Sequence, residues 1–177
     1  MELLTPRLRM RRWREQDRDP LFRINDEPGV KRYLPPQSRA DTDEMLDWFE
    51  DHFAEHGFGF WALEEREGGT LIGMCGLLHV PFDAFFTPAV EIGWRLSVPW
   101  QKRGLAREAA EAALRFGFGP AGLQRIVAFT TPLNMPSWTL MRRLGMREIG
   151  RFDYPELPEG HPLRPSVVYE IEAPGHS

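Results

Sequence analysis

The segment Gln101-Lys102-Arg103-Gly104-Leu105-Ala106 places a glycine and two cations where one periodicity gives way to another. Before it, Val90-Glu91-Ile92-Gly93-Trp94-Arg95-Leu96 alternates apolar residues with polar or small ones, the period of a strand. After it, Leu105, Ala109, Ala112, Ala113 and Phe116 recur at helical spacing. A helix N-terminus carries unsatisfied N–H groups and partial positive charge, so a strand-to-helix turn of this kind can hold an anion. Gly104 has no Cβ and lets a pyrophosphate approach the backbone, while Lys102 and Arg103 add charge. The chain contains neither a Gly-x-x-x-x-Gly-Lys-Ser/Thr loop nor an early Gly-x-Gly-x-x-Gly after a strand, so the common nucleotide-binding patterns are not the explanation.

Other reactive residue types fit less demanding roles. The single cysteine, Cys75, lies in the apolar run Leu71 to Leu78 and reads as a small core residue; alone it can form neither an intrachain disulfide nor an all-cysteine metal cage. His52 and His56 stand four apart on a helical stretch, but the residues between them do not make His-Glu-x-x-His, and no metal is expected. Trp13, Trp48 and Trp61 are expected in the core.

The elements that must position the turn can be read along the chain. Leu8 and Met10 alternate with arginines as a first strand, and helical stretches follow at about 16–25 and 41–56. Asp41 and Glu44 suit the capping of the second helix, with Pro35-Pro36 separating the two. Strands are expected at 58–64 and 70–79, joined through Gly68-Gly69, and again at 89–96. The alanine-rich helix, a strand at 125–129, a short helix at 136–144 stopped by Gly145, and strands at 146–152 and 167–171 complete the order. Meander strands pair antiparallel and crossover strands parallel, so the sheet should be mixed. The expected fold class is α/β (α+β), with about seven strands and helices on both faces. One domain over 1–177 is the economical reading of 177 residues with 42% hydrophobic composition.

The formal net charge of −4 argues against nucleic acid as the main partner, since phosphate-backbone binding needs a broad basic surface. There is no charged-then-apolar leader and no apolar run of transmembrane length. A cytoplasmic chain that does not engage membranes is therefore expected.

Glu91 to Leu96, Gln101 to Ala106 with the helix after it, and Asn134-Met135-Pro136-Ser137 through Leu144-Gly145-Met146 together resemble the GNAT superfamily of acyl-CoA-dependent N-acetyltransferases. The branch they resemble is that of the Rim-type ribosomal-protein N-terminal acetyltransferases. With the element order, the likeness covers almost the whole chain. It implies acetyl-CoA as co-substrate, its pyrophosphate on Gln101, Lys102, Arg103, Gly104, Leu105 and Ala106. It also implies splayed fourth and fifth strands with a bulge near Leu96, Ser97 and Val98, where pantetheine bonds to the strand backbone. Asn134 and Ser137 match positions on the far side of the cofactor.

Chemical roles follow from the same resemblance. Acetyl transfer to an amine needs a neutral nitrogen, a polarised thioester carbonyl and a protonated thiol. Glu91 matches a glutamate given the role of base, and partial burial would raise its pKa toward neutrality; a structural acid paired with an arginine is the alternative. Ser137 is the candidate proton donor to sulfur, because the tyrosine many members carry in this helix is absent; Tyr154 is a second candidate. A backbone N–H near Leu96 or Ser97 is the candidate for polarising the carbonyl. Trp94, Glu91, Phe82, Phe85 and Phe86 are assigned to the acceptor, a primary amine on a peptide N-terminus or small molecule, the three phenylalanines sealing its pocket or covering a homodimer surface. Rival readings are a detoxifying acetyltransferase for an antibiotic or polyamine-like amine, and a non-catalytic acyl-CoA-binding module.

Overall fold

A computed structural model describes residues 1–175; the last two residues of the expected domain lie outside them. The strands are β1 (Leu3–Leu4), β2 (Leu8–Arg11), β3 (Phe60–Glu65), β4 (Leu71–His79), β5 (Val90–Leu96), β6 (Arg125–Thr130), β7 (Arg147–Asp153) and β8 (Pro165–Glu172). The helices are α1 (Arg18–Asp26), α2 (Pro28–Lys31), α3 (Arg39–His56), α4 (Leu105–Phe118) and α5 (Met135–Arg143). Among the described residues, eight strands join one mixed sheet in the order β1-β2-β3-β4-β5-β6-β8-β7, with only the β5–β6 pair parallel.

The eighth strand beyond the expected seven is β1, which pairs Leu3 with Met10 and Leu4 with Arg9. Two residues are too few to display a period, so no sequence pattern marks it. The start of α3 also differs from expectation. Ser38, not Asp41, is the cap: Asp41 N–H donates to Ser38 Oγ, and the Asp41 carboxylate accepts from Ser38 N–H at 2.6 Å. The capping-box logic holds three residues earlier, with aspartate as the reciprocal acid.

Two apolar layers enclose the sheet. On one face Ala109, Ala113 and Phe116 of α4 pack with Cys75, Leu77, Ile92 and Ile126. On the other, Leu21, Leu46 and Phe49 from α1 and α3 pack with Phe60, Ala62, Met74 and Leu78. A third cluster on β6 and β8 joins Val127 and Val168 to Phe86, with Phe82, Phe129 and Phe152 around it. Trp13 and Trp61 are buried as expected, but Trp48 is 39% exposed because its helix turns that side to solvent. Cys75 is buried in the α4 layer, which pushes its thiol pKa upward through desolvation.

β4 and β5 stay in register from His79↔Val90 to Gly73↔Leu96, whereas β5 and β6 share only Val90↔Ile126 and Glu91↔Val127. Beyond Glu91 the parallel neighbours part. The bulge expected near Leu96 to Val98 is absent from the ladder: β5 ends cleanly and enters a 3-10 turn at Val98–Trp100. The gap arises from short β5–β6 pairing, while the other edge of β6 keeps six partners on β8.

Candidate active site

The backbone of the anion turn is built for close approach. Gly104 is the N-cap of α4 at φ 78°, and no side chain caps the helix. Lys102 also has positive φ, at 59°. These two excursions into the left-handed region, either side of Arg103, turn the chain tightly and leave the first N–H groups of α4 without a side-chain acceptor. Arg7 steadies the turn, donating from Nη1 to Arg103 O at 2.9 Å and from Nε to Glu108 at 2.7 Å.

In front of this turn lies a groove of about 650 Å³. Trp94, Leu96, Gln101, Lys102, Gly104, Leu105 and Ala106 form one wall, and Asn134, Ser137 and Arg143 another. A third side, unforeseen from sequence, is the α2 segment with Gly29, Arg32, Tyr33 and Leu34. Arg32, Arg95, Lys102, Arg107 and Arg143 put five cations on the lining, enough for an anionic ligand on a chain whose net charge is −4. Arg103 is directed elsewhere, stacked 5.1 Å from the Trp100 ring centroid.

The end of β5 divides the expected backbone contacts. Ser97 N–H donates to Ile72 O at 2.9 Å. Strand alternation therefore points the N–H groups of Leu96 and Trp94 the other way, into the gap left by β6. Leu96 O is already taken by Gln101 Nε2 at 2.9 Å. Ser97 and Val98 are held by Glu27, whose carboxylate accepts from Ser97 Oγ at 2.6 Å and Val98 N–H at 2.7 Å. Those two residues are thus tied internally, and Leu96 is the member of the trio whose N–H faces the opening. Glu27 escaped the sequence reading because a glutamate before Pro28 looks only like a helix boundary.

Asn134 caps α5, its Oδ1 accepting from Ser137 N–H at 3.3 Å. That bond sets the first turn of α5 against the groove and directs Ser137 there.

Glu91 and Trp94 leave β5 on opposite faces. Trp94 and Leu96 pack with the α4 layer. On Glu91's face, Arg95 donates to Asn25 Oδ1 of α1 at 2.6 Å, and a Cβ on Gly93 would come within 2.7 Å of the Phe60 ring. Trp94 therefore leaves β5 away from Glu91, and the groove lining takes in both Trp94 and Arg95.

Glu91 sits at the fork where β5 and β6 separate. It keeps some surface because the fork is open, yet it lies deep in the molecule. Burial, aided by the nearby charge of Glu156, pushes its carboxyl pKa up to about 8. No hydrogen-bond or ion-pair partner for its carboxylate is present among the described residues, so the arginine-paired alternative has no support. Arg95 is likewise without a carboxylate, and burial lowers its pKa to about 10.

Tyr154 and Glu156 approach from the proline-rich loop, Tyr154 O–H donating to Glu156 Oε2 at 2.8 Å. Desolvation first, and then this bond and the charges of Glu156 and Glu91, raise the Tyr154 pKa. No local signal in the sequence brings this loop to Glu91; only the tertiary fold does.

The three phenylalanines part company. Phe82 meets Tyr154 edge-on at 5.5 Å, on the Glu91 side. Phe86 is 3% exposed and packs on Phe152 at 4.9 Å, so it is core. Phe85 is 62% exposed over Gly150.

The profile of the acetyltransferase (GNAT) domain family matches residues 7–147. The uncharacterized N-acetyltransferase YnaD of Bacillus subtilis is 31% identical over 172 residues, 97% of this chain and 96% of that one. The [ribosomal protein uS5]-alanine N-acetyltransferase of Escherichia coli is 30% identical over 106 residues, 60% of this chain and 52% of its own. Among solved structures, an acetyltransferase from Agrobacterium tumefaciens superposes with a TM-score of 0.81 at 25% identity, covering 97% of this chain and 94% of that one. RimJ of Mycobacterium smegmatis, solved in complex with CoA-disulfide, shares the fold with a TM-score of 0.75 at 21% identity, over 94% of this chain and 82% of its own. The uncapped turn, the parted strands and the matched family profile agree, and the chain belongs to the GNAT acetyltransferases, acetyl-CoA-dependent N-acetyltransferases built on this sheet.

Proposed function

We propose that the chain transfers an acetyl group to a primary amine at the end of a chain, a peptide N-terminus or an amino-acid-like small molecule, with Glu91 as base at the strand fork. The observation that carries this reading is the partnerless Glu91, with its pKa raised to about 8 at the point where β5 and β6 part. A free α-amino group titrates near ~8, so donor and acceptor of the proton are closely matched.

The residues present fit acetyl-CoA. The uncapped N–H groups of α4 with Gly104 suit the pyrophosphate, Lys102, Arg107 and Arg143 supply positive charge, and the Leu96 and Trp94 N–H groups face the gap. Bound acetyl-CoA supplies the acetyl group as a thioester; the amine nitrogen gains the acetyl, and CoA departs as a thiol after one proton passes from nitrogen to sulfur overall. Attack is direct, in a ternary complex. Glu91 accepts the proton from the amine, directly or through one water. Ser137 lies on the groove side and Tyr154 on the Glu91 side, so Ser137 is the better placed hydroxyl for sulfur. As a poor acid, it serves as a hydrogen-bond donor there. Phe82 and Tyr154 wall the acceptor side with aromatic faces.

Support for a chain-terminal amine comes from the relative that acts on the uS5 alanine. The test is free-CoA release with an amine panel of short peptides, free amino acids, lysine side chains, polyamines and aminoglycosides. Turnover highest on α-amines is the expected outcome. Turnover confined to polyamines or aminoglycosides would replace this acceptor with a detoxification substrate, and no turnover on any amine would favour a binding module.

A further inference from the structure

At the far end of β4 from the groove, three histidines meet. His52 and His56 share one side of the last turns of α3, and His79 is the final residue of β4. One ring nitrogen from each lies within 4.8 Å of the other two. His52 Nε2 and His79 Nδ1 are 3.1 Å apart. Nitrogen ligands at 2.0–2.1 Å in a tetrahedral shell stand roughly 3.3–3.4 Å from one another. One pair is therefore already close to ligating separation, and a ring nitrogen of exposed His56 lies within 4.8 Å of both.

The buried member is held in the required tautomer. His79 N–H donates to His52 Nε2 at 3.0 Å, so Nε2 carries a lone pair and Nδ1 the proton, which goes to Phe58 O at 2.6 Å. A backbone carbonyl on the remote nitrogen is the usual way a ligand histidine is oriented. An ion on Nε2 would replace the His79 N–H contact. The three rings converge where the end of α3 meets the end of β4. The Glu55 carboxylate, 3.6 Å from His56 Nε2, adds negative charge beside them.

Hydrogen bonding accounts for His52 and for the N–H and Nδ1 of His79 that meet its Nε2. It does not account for exposed His56 and His79 with ring centroids 4.3 Å apart and no hydrogen bond between them. We propose that His52, His56 and His79 bind one divalent late transition-metal ion, zinc in class, which clasps the end of α3 to the end of β4. Three neutral imidazoles suit zinc, nickel or copper and discriminate against magnesium and calcium, which require oxygen ligands. His79 pairs with Val90, one ladder position from Glu91, and stands four positions from Cys75, the partner of the groove residue Trp94, roughly 13 Å at strand rise.

Calorimetric titration of zinc chloride into the chelator-treated full chain tests this. One equivalent should bind at micromolar or tighter affinity and raise the melting temperature, since the unfolded chain lacks the site. His56→Ala and His79→Ala should each weaken binding by at least about tenfold, with the metal-free His56→Ala variant melting near wild type. Cobalt(II) bound to the unaltered chain should show the intense visible bands of a tetrahedral ion, a readout that needs no variant. No uptake at submillimolar zinc, uptake unchanged in the double variant, or an octahedral cobalt spectrum would overturn the proposal.

Discussion

Glu91, proposed here as the base, is at the same time a cost to the fold. Its carboxyl is held protonated over a range where the unfolded chain has released the proton, from the ordinary value of 4.5 up to about 8. Because the unfolded state then binds fewer protons, this residue makes stability fall as pH rises through that window. Glu91→Gln removes the effect. The melting temperature of the variant, relative to wild type, should therefore climb from pH 4.5 to pH 8 and level off above it. A constant difference across the window would mean that Glu91 is not desolvated in the folded chain. Sequence alternation alone shows that Glu91 shares a face with Gly93 and Arg95. What it cannot show is Glu156, more than sixty residues away, brought close by the return of the proline-rich loop.

Among the elements, the turn into α4 was the most legible, because glycine, cations and a change of period coincide within six residues. The cap of α5 by Asn134 and its stop at Gly145, φ 88°, were readable for the same reason: caps are local chemistry. Short pieces without a period were not readable, and β1 and α2 are the two examples. At the turn, Gly104→Val places a branched side chain on a residue with φ 78° and on the face offered to the ligand. The variant should fold with a lower melting temperature and lose most of the thermal stabilisation that CoA confers on wild type. A folded valine variant binding CoA with wild-type affinity would move the anion site elsewhere.

At the scale of the whole molecule, the groove opens beside α4 and α5, while Glu91 faces the α1 and α3 side. The parting of β5 and β6 is what connects the two sides. The mixed character of the sheet and the parallel β5–β6 crossover were legible, but the antiparallel β2–β3 pair and the insertion of β8 between β6 and β7 were not, because a helix between two strands does not by itself make them neighbours. The division of labour across it was not legible either: Trp94 falls to the groove and Phe86 to the core, because orientation and burial are settled by long-range packing. The central claim is that an acetyl group delivered through the fork meets an amine deprotonated by Glu91. The direct test is the pH dependence of kcat/KM for wild type and Glu91→Gln on the best amine of the panel, with CoA affinity measured alongside. The expected result is an acid limb for wild type near pH 8, and a loss of roughly 10²-fold in the variant at neutral pH. That deficit should shrink as pH rises, while CoA binds both proteins alike. A glutamine variant with the wild-type rate and the wild-type acid limb would contradict it.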